Sequence, residues 1–282
     1  MPPELTIVQA ENLAWLASQP EARFDLIYID PPFNTGKQQT LQRLSTVRVE
    51  EGGDRTGFGG QRYRSTVVSE LGYADRFDDY VAFLAPRLEQ ARRVLSSTGS
   101  LFVHVDPRES HYVKVLLDEL FGRASFQNEI VWSYDFGGRT KKRWPAKHDV
   151  ILWYAKDPRS FTFHYDEIDR IPYLAPGLVG KEKAERGKTP TDVWWQTIVP
   201  TAGRERTGYP TQKPLAILER IVRVHSSPGE RVLDFFAGSG TTGEAAARLG
   251  RSCVLVDANP EAVAVMRSRL DFADPVVVEA NG

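Results

Sequence analysis

The stretch Val232-Leu-Asp-Phe-Phe-Ala-Gly-Ser-Gly-Thr-Thr-Gly243 reads as a buried strand that runs into a glycine loop and then a helix. Gly238, Gly240 and Gly243 have G-x-G-x-x-G spacing, which permits a tight turn and brings backbone close to a ligand. Thr241 and Glu244 have capping-box spacing on the following helix. Asp257 ends the next apolar run, where a carboxylate can accept bonds from both hydroxyls of a ribose. Together these residues point to a nucleoside-containing cofactor. A dinucleotide fold puts such a loop near its start, with several βα units after it. Here only residues 244–282 remain, room for a helix, a strand and a helix. The rest of the sheet comes from upstream, so the chain reads as a circularly permuted nucleoside-binding fold.

Upstream, short apolar runs bounded by turn residues read as buried strands: Leu5–Val8, Leu26–Ile29, Leu101–Val105, Ile130–Trp132 and Val150–Tyr154, joined downstream by Val232–Phe236 and Cys253–Val256. Helical stripes lie between some of them. Val81, Leu84, Leu88, Ala91 and Leu95 form one, with Pro86 as a kink, and Val113, Leu116, Leu117 and Leu120 form another that Gly122 ends. Leu215, Leu218, Ile221 and Val222 form a third. Asp106-Pro-Arg-Glu109 has the pattern of a capping box with proline at the first helical position. Strands alternating with helices predict an α/β sheet covered on both faces. Two segments break the rhythm within what reads as a single domain, 1–282. Residues 34–77 are rich in Gly and Arg without apolar periodicity, and are expected to form a mobile loop. Residues 156–212, rich in Pro, Gly and charge, read as an insertion on the sheet.

The chain of 282 residues has one cysteine, Cys253, which excludes an intrachain disulfide and cysteine-built zinc sites. A reducing, cytoplasmic setting is therefore expected. No apolar run approaches a membrane span and the N-terminus lacks signal-peptide features, so no membrane partner is expected. The formal net charge is -1, but Arg123 to Lys213 holds 16 Lys and Arg against 11 Asp and Glu. Within it the cluster Arg139, Lys141, Lys142, Arg143 and Lys147 reads either as a solvated face or as a phosphate-contacting patch.

The run Phe24-Asp-Leu-Ile-Tyr-Ile-Asp30 stops at Asp30-Pro31-Pro32-Phe33, because proline cannot extend a strand ladder. In an open α/β sheet the carboxyl edge is where ligands bind. This turn offers a carboxylate acceptor, a rigid Pro31 carbonyl and an aromatic face. Two acceptors can take the two hydrogens of an exocyclic amine while the ring stacks on a flat base. A strand terminator with a capping Asp is the plainer alternative, and it weakens once the glycine loop shares the chain.

These motifs resemble the S-adenosylmethionine-dependent DNA amino-methyltransferases of the permuted β-class order, in the N-4/N-6 methylase family. Asp30-Pro-Pro-Phe-Asn-Thr-Gly36 resembles the catalytic motif of adenine-N6 enzymes. Asp234-Phe-Phe-Ala-Gly-Ser-Gly-Thr-Thr242 resembles the methionine-binding motif, and Gly208-Tyr-Pro-Thr-Gln-Lys-Pro214 the remaining cofactor motif. The resemblance covers roughly 5–155 and 205–270. It implies a Rossmann-like mixed seven-stranded sheet in the order 3-2-1-4-5-7-6, the strands above taking places 3, 4, 5, 6, 7, 1 and 2 in chain order. It further implies catalytic roles for Asp30, Pro31, Pro32 and Phe33. For the cofactor it implies Glu11 (where the family usually has Asp), Asp30, Thr211, Lys213, Asp234, Phe236, Ala237, Gly238, Ser239, Gly240, Thr241, Thr242, Asp257 and Asn259.

The implied function is site-specific methylation of adenine N6 by direct transfer after base flipping. Cytosine N4 is the alternative, and Asp rather than Ser at position 30 favours adenine by analogy with the family. Direct transfer to an amine needs no metal and no cysteine nucleophile, and Cys253 sits inside a predicted strand as a small hydrophobe. More distant alternatives are an RNA amino-methyltransferase, an NAD-dependent oxidoreductase and an inactive DNA-binding module. Duplex DNA is the expected partner, with 133–207 expected to form the target-recognition insertion and Trp194, Trp195 and the basic cluster as contacts. A restriction endonuclease or other defence subunit and a homodimer are further candidates, in a bacterial, archaeal or phage-like setting.

Overall fold

The computed structural model describes residues 3–34, 37–49, 55–56, 62–75, 77, 79–200 and 203–279. The elements run β1 (Leu5–Gln9), α1 (Asn12–Ser18), β2 (Phe24–Ile29), β3 (Lys37–Val49), β4 (Arg55–Thr56), β5 (Arg62–Asp75), α2 (Tyr80–Val94), β6 (Leu95–Val105), α3 (Ser110–Phe121), β7 (Phe126–Ser133) and β8 (His148–Ala155). They continue with α4 (Lys181–Arg186), β9 (Val193–Trp195), α5 (Leu215–His225), β10 (Arg231–Asp234), α6 (Thr241–Arg248), β11 (Ser252–Asp257), α7 (Pro260–Leu270) and β12 (Val276–Glu279).

Nine strands form the main sheet in the order β12-β1-β11-β10-β2-β6-β8-β7-β9. Without the two edge strands, this is the expected order 3-2-1-4-5-7-6. Strands β12 through β6 pair in parallel, and β8 runs antiparallel to both neighbours, so the sheet is mixed. The edges β12 and β9 escaped the sequence reading because neither is a buried apolar run. Val276, Val277 and Val278 are exposed, and β9 spans three residues. Each is held by main-chain pairing to one neighbour.

Alternation along the central strands builds a core on each face. Ile27, Ile29, Leu101 and Val103 pack with Leu16, Leu84, Leu88 and Leu117 from α1, α2 and α3. Leu26, Tyr28 and Phe102 pack with Leu218, Ile221, Ala245 and Met266 from α5, α6 and α7. Cys253 is buried in the second core, as a small hydrophobe would be. Gly122 ends α3 at φ 86°, its N–H donating to the Asp118 carbonyl at 3.0 Å. Among the described residues no helix is long and apolar enough to cross a membrane.

Four expectations are corrected. Residues 34–77, read as a loop, hold an antiparallel ribbon in which β3 pairs β5 from Lys37 opposite Asp75 to Val49 opposite Arg62. The apolar alternation sought in the sequence marks strands with one face on a core, and this ribbon belongs to a separate three-stranded sheet. The glycines at 52, 53, 57, 59 and 60 lie outside the described residues. The insertion 133–207 is two segments, because β8 lies between them inside the main sheet. Asp106 does not open a capping box. It accepts from the Arg108 N–H at 2.8 Å within a turn, α3 starts only at Ser110, and Glu109 accepts instead from Asn34 at 3.0 Å. Thr241 and Glu244 form no capping box either. Gly240 precedes the helix in left-handed conformation, and both side chains are spent elsewhere.

Gly240 has φ 74°, and a Cβ there would meet Met266 Cγ at 2.8 Å. Gly240→Ala is therefore expected to cost about 1–3 kcal/mol through left-handed strain and overpacking, read as a lower urea midpoint with unchanged slope.

Candidate functional site

Strands β10 and β2 are neighbours, with Val232 beside Leu26 and Leu233 beside Ile27. Both therefore end at the same sheet edge, one in the glycine loop and the other in Asp30-Pro31-Pro32-Phe33. Two cavities meet there. One, of about 310 Å³, is lined by Asp30, Pro32, Asp234, Phe236, Gly238 and Asp257 among others. The second, of about 450 Å³, is lined by Phe33, Trp132, Tyr134, Phe136, Asp149 and Arg206 among others. Tyr209, Thr211, Gln212 and Lys213 form a wall common to both.

All the residues assigned to a cofactor line the first cavity except Gly240, whose missing Cβ faces Met266 instead. The loop is shaped by its glycines. Gly238 has φ 49°, and a Cβ there would approach the Tyr209 ring to 3.1 Å. Asp257 ties β11 to this loop, accepting from the Gly238 N–H and the Asn259 N–H, each at 2.9 Å. Asp234 is buried beneath it, accepting from the Thr242 hydroxyl at 2.6 Å and the Phe236 N–H at 3.0 Å. Burial pushes the Asp234 carboxyl up to about 7 despite those two bonds. Such a group gains by meeting a cation. Glu11 sits at the rim, where it caps α1 through the Ala14 N–H at 2.9 Å and pairs with Arg87 at 2.7 Å.

Asp30 is held on one side only. Its Oδ2 accepts from the Lys213 ammonium, while Oδ1 is buried without a partner among the described residues. An acceptor in that state is costly unless something donates to it. Phe33 lines the adjoining cavity, with Lys213 Nζ 4.7 Å from its ring centroid and His104 5.7 Å away.

The sequence reading missed a buried polar chain under this second cavity. Tyr28 Oη lies 2.7 Å from His104 Nδ1, His104 Nε2 lies 3.2 Å from Asp149 Oδ2, and the Tyr134 hydroxyl donates to Asp149 Oδ1 at 3.0 Å. Burial pushes the Asp149 carboxyl up, but the His104 bond and charge together with Lys213 outweigh it and hold the group low. A carboxylate only accepts, so His104 Nε2 donates to it. The available signal was His104 inside the apolar run Leu101–Val105, since a polar residue in a buried strand needs a partner. Arg269 was also missed. Its guanidinium pairs with Glu244 at 2.6 Å and donates to Thr241 Oγ1 at 2.8 Å, bracing the glycine loop from behind.

The basic cluster divides. Arg139, Lys141, Lys142 and Arg143 are exposed on the segment between β7 and β8. Lys147 is half-buried, and its ammonium is spent on the Phe136 and Gly137 carbonyls. The two tryptophans divide as well, since neighbours on a strand face opposite ways. Trp195 is 72% exposed, whereas Trp194 packs against the second core with Arg220 over its ring at 4.8 Å. Lys147 and Trp194 are thus engaged within the protein, while Arg139, Lys141, Lys142, Arg143 and Trp195 are left exposed to solvent.

A family profile described as DNA methylase matches residues 24–268. The chain is 30% identical over 281 residues to DNA adenine methyltransferase YhdJ of Escherichia coli strain K12, covering 95% of this chain and 83% of the relative. It is 31% identical over 251 residues to type II methyltransferase M.HpaI of Haemophilus parainfluenzae, covering 89% and 69%. Among solved structures, the cytosine-N4-specific PvuII DNA methyltransferase aligns with TM-score 0.64 at 18% identity, covering 95% of this chain and 88% of that one. The M1.HpyAVI–SAM complex aligns with TM-score 0.60 at 20% identity, covering 94% and 98%. At those identities the two structures speak to the fold.

Arg269→Ala strands Glu244 in the core with only the half-exposed Arg248. It is expected to cost about 3 kcal/mol in chemical unfolding and to weaken ligand binding in the first cavity, measured by calorimetry.

Proposed function

The chain belongs to the N6/N4 DNA methylase family, and we propose that it methylates adenine N6 within a particular duplex sequence. It is an S-adenosylmethionine-dependent DNA methyltransferase. The observation that carries transfer to an exocyclic amine is Asp30 Oδ1, buried without a partner among the described residues on a side chain that lines the first cavity. The adenine-specific name of the Escherichia coli relative supports the choice over cytosine N4.

The first cavity fits the cofactor. Asp234 offers a carboxylate to an ammonium, Asp257 retains acceptor capacity for ribose hydroxyls, and Phe236 offers an aromatic face. Bound there, S-adenosylmethionine supplies a methyl group already activated on a positively charged sulfur. The protein's own part is placement. A flipped base enters the second cavity against Phe33. Asp30 Oδ1 and the Pro31 carbonyl accept the two hydrogens of its amino group, which points the nitrogen lone pair toward the first cavity. The Tyr28–His104–Asp149–Tyr134 chain stiffens the floor under Phe33.

Arg139, Lys141, Lys142 and Arg143 would meet phosphates, and Phe136 on the same segment and Trp195, paired with Ser133 at the end of β7, stand exposed for stacking. The ribbon β3–β5 follows the Asp30–Phe33 turn in the chain and is assigned to closing on DNA. The type II relatives support a setting beside a restriction endonuclease that reads the same site.

Incubation of duplex DNA with tritiated S-adenosylmethionine, followed by nucleoside analysis, should place the label in N6-methyladenine. Asp30→Ala should lower the rate at least about a thousandfold. Label in N4-methylcytosine, transfer to RNA alone, or an active Asp30→Ala protein would overturn the reading. A pH test follows from Asp234. Its folded value near 7 lies above the ordinary 3.8, so below pH 7 the unliganded protein holds a proton that a cationic ligand must expel. Cofactor affinity should therefore fall by up to about tenfold per unit as pH drops from 7 toward 5. Asp234→Asn should bind more weakly and flatten that dependence in calorimetry.

A further inference from the structure

The resemblance placed Lys213 among the cofactor ligands, and the residue stands in the wall between the cavities, but its ammonium is engaged by the acceptor carboxylate. The residue is 7% exposed. Its ammonium pairs with Asp30 Oδ2 and donates to the Thr211 carbonyl at 3.3 Å. It also lies 4.7 Å from the centroid of Phe33. Its own carbonyl accepts from Thr241 Oγ1 at 3.2 Å, at the first residue of the helix after the glycine loop. One residue thus touches the carboxylate, the stacking ring and the cofactor loop.

We propose that Lys213 is a positioning residue that orients the Asp30 carboxylate for the target amine, rather than a cofactor ligand. This rests on the reading of Asp30 as the acceptor of that amine. The two oxygens of a carboxylate are equivalent, and rotation about the last side-chain bond exchanges them. A cation anchored from another segment breaks the equivalence. Lys213 engages Oδ2, which leaves Oδ1 as the acceptor that awaits a donor. Cation contact with Phe33 fixes the stacking face relative to that oxygen. The charge balance points the same way. An isolated ammonium would repel the sulfonium and the ammonium of S-adenosylmethionine, whereas the Lys213–Asp30 pair is neutral as a unit.

The test is steady-state methylation and cofactor calorimetry on wild type, Lys213→Met and Lys213→Gln. Methionine removes every donor, and glutamine keeps a neutral N–H for Oδ2. The expected result is a fall in kcat of about a hundredfold for Lys213→Met and roughly tenfold for Lys213→Gln. KM for DNA should change less than about threefold, and cofactor binding should weaken by no more than that. A cofactor ligand would give the reverse, with affinity lost at least about tenfold and kcat retained, and that pattern overturns the proposal. Equal loss in the two variants overturns it as well, since oxygen orientation would then not be the property at stake. Should melting show Lys213→Met unfolded, the kcat and affinity changes of Lys213→Gln decide alone. The two readings separate through the wild type. If it methylates DNA and Asp30→Ala does not, full activity in both Lys213 variants refutes the role of Lys213 only.

Discussion

The parallel pairing of β10 with β2 is the contact through which this protein's chemistry becomes geometry. Val232 beside Leu26 and Leu233 beside Ile27 are ordinary buried pairs. Their consequence is that two motifs about 200 residues apart in the chain end at one sheet edge. β10 stops at Asp234 because that carboxylate takes the Phe236 N–H and turns the chain. β2 stops before Asp30 because prolines follow. Both turns lie at the carboxyl ends of parallel strands, so both open into the same crevice. Permutation leaves this arrangement intact, since strand neighbours rather than chain order bring the donor and acceptor sites together.

A third segment closes the crevice from outside the sheet. Tyr209 through Lys213 forms the wall between the cavities, with Tyr209 filling the space that a side chain at Gly238 would claim. Most buried charge here is braced. Lys213 meets Asp30, Arg269 meets Glu244, and His104 meets Asp149. The exceptions are informative, because among the described residues Asp30 Oδ1 has no partner, and burial pushes the Asp234 carboxyl up to about 7. Both side chains line the first cavity, which a ligand with donors or positive charge would fill. Stability is given up where ligand binding can restore it.

Seven central strands, three of the helices and the glycine loop with Asp257 were legible in the sequence, because each depends on short-range pattern, whereas the strand order and most of the first cavity's lining followed from the family resemblance. Apolar runs, glycines at fixed spacing and a proline after a carboxylate act over a few residues. The misreadings came where partners are distant. Capping-box spacing at Thr241–Glu244 was present, but Arg269 and Lys213 claim those groups from elsewhere. The ribbon showed no apolar period because its pairing lies outside the main sheet. Trp194 matched a surface pattern that tertiary packing then turned inward, and the Lys147 ammonium is taken by the Phe136 and Gly137 carbonyls.

Local chemistry therefore identified the ingredients: a nucleoside loop, an amine-gripping turn, a basic segment and a family. Folding decided which ingredients touch. That Lys213 serves Asp30, that His104 carries a buried chain to Tyr134, and that only one of two adjacent tryptophans faces solvent all depend on contacts between segments far apart in the chain. Spacing within a motif is set by the backbone and can be read from a string. Distance between motifs is set by which strands pair and which side chains neutralise one another, and that is settled only when the core closes.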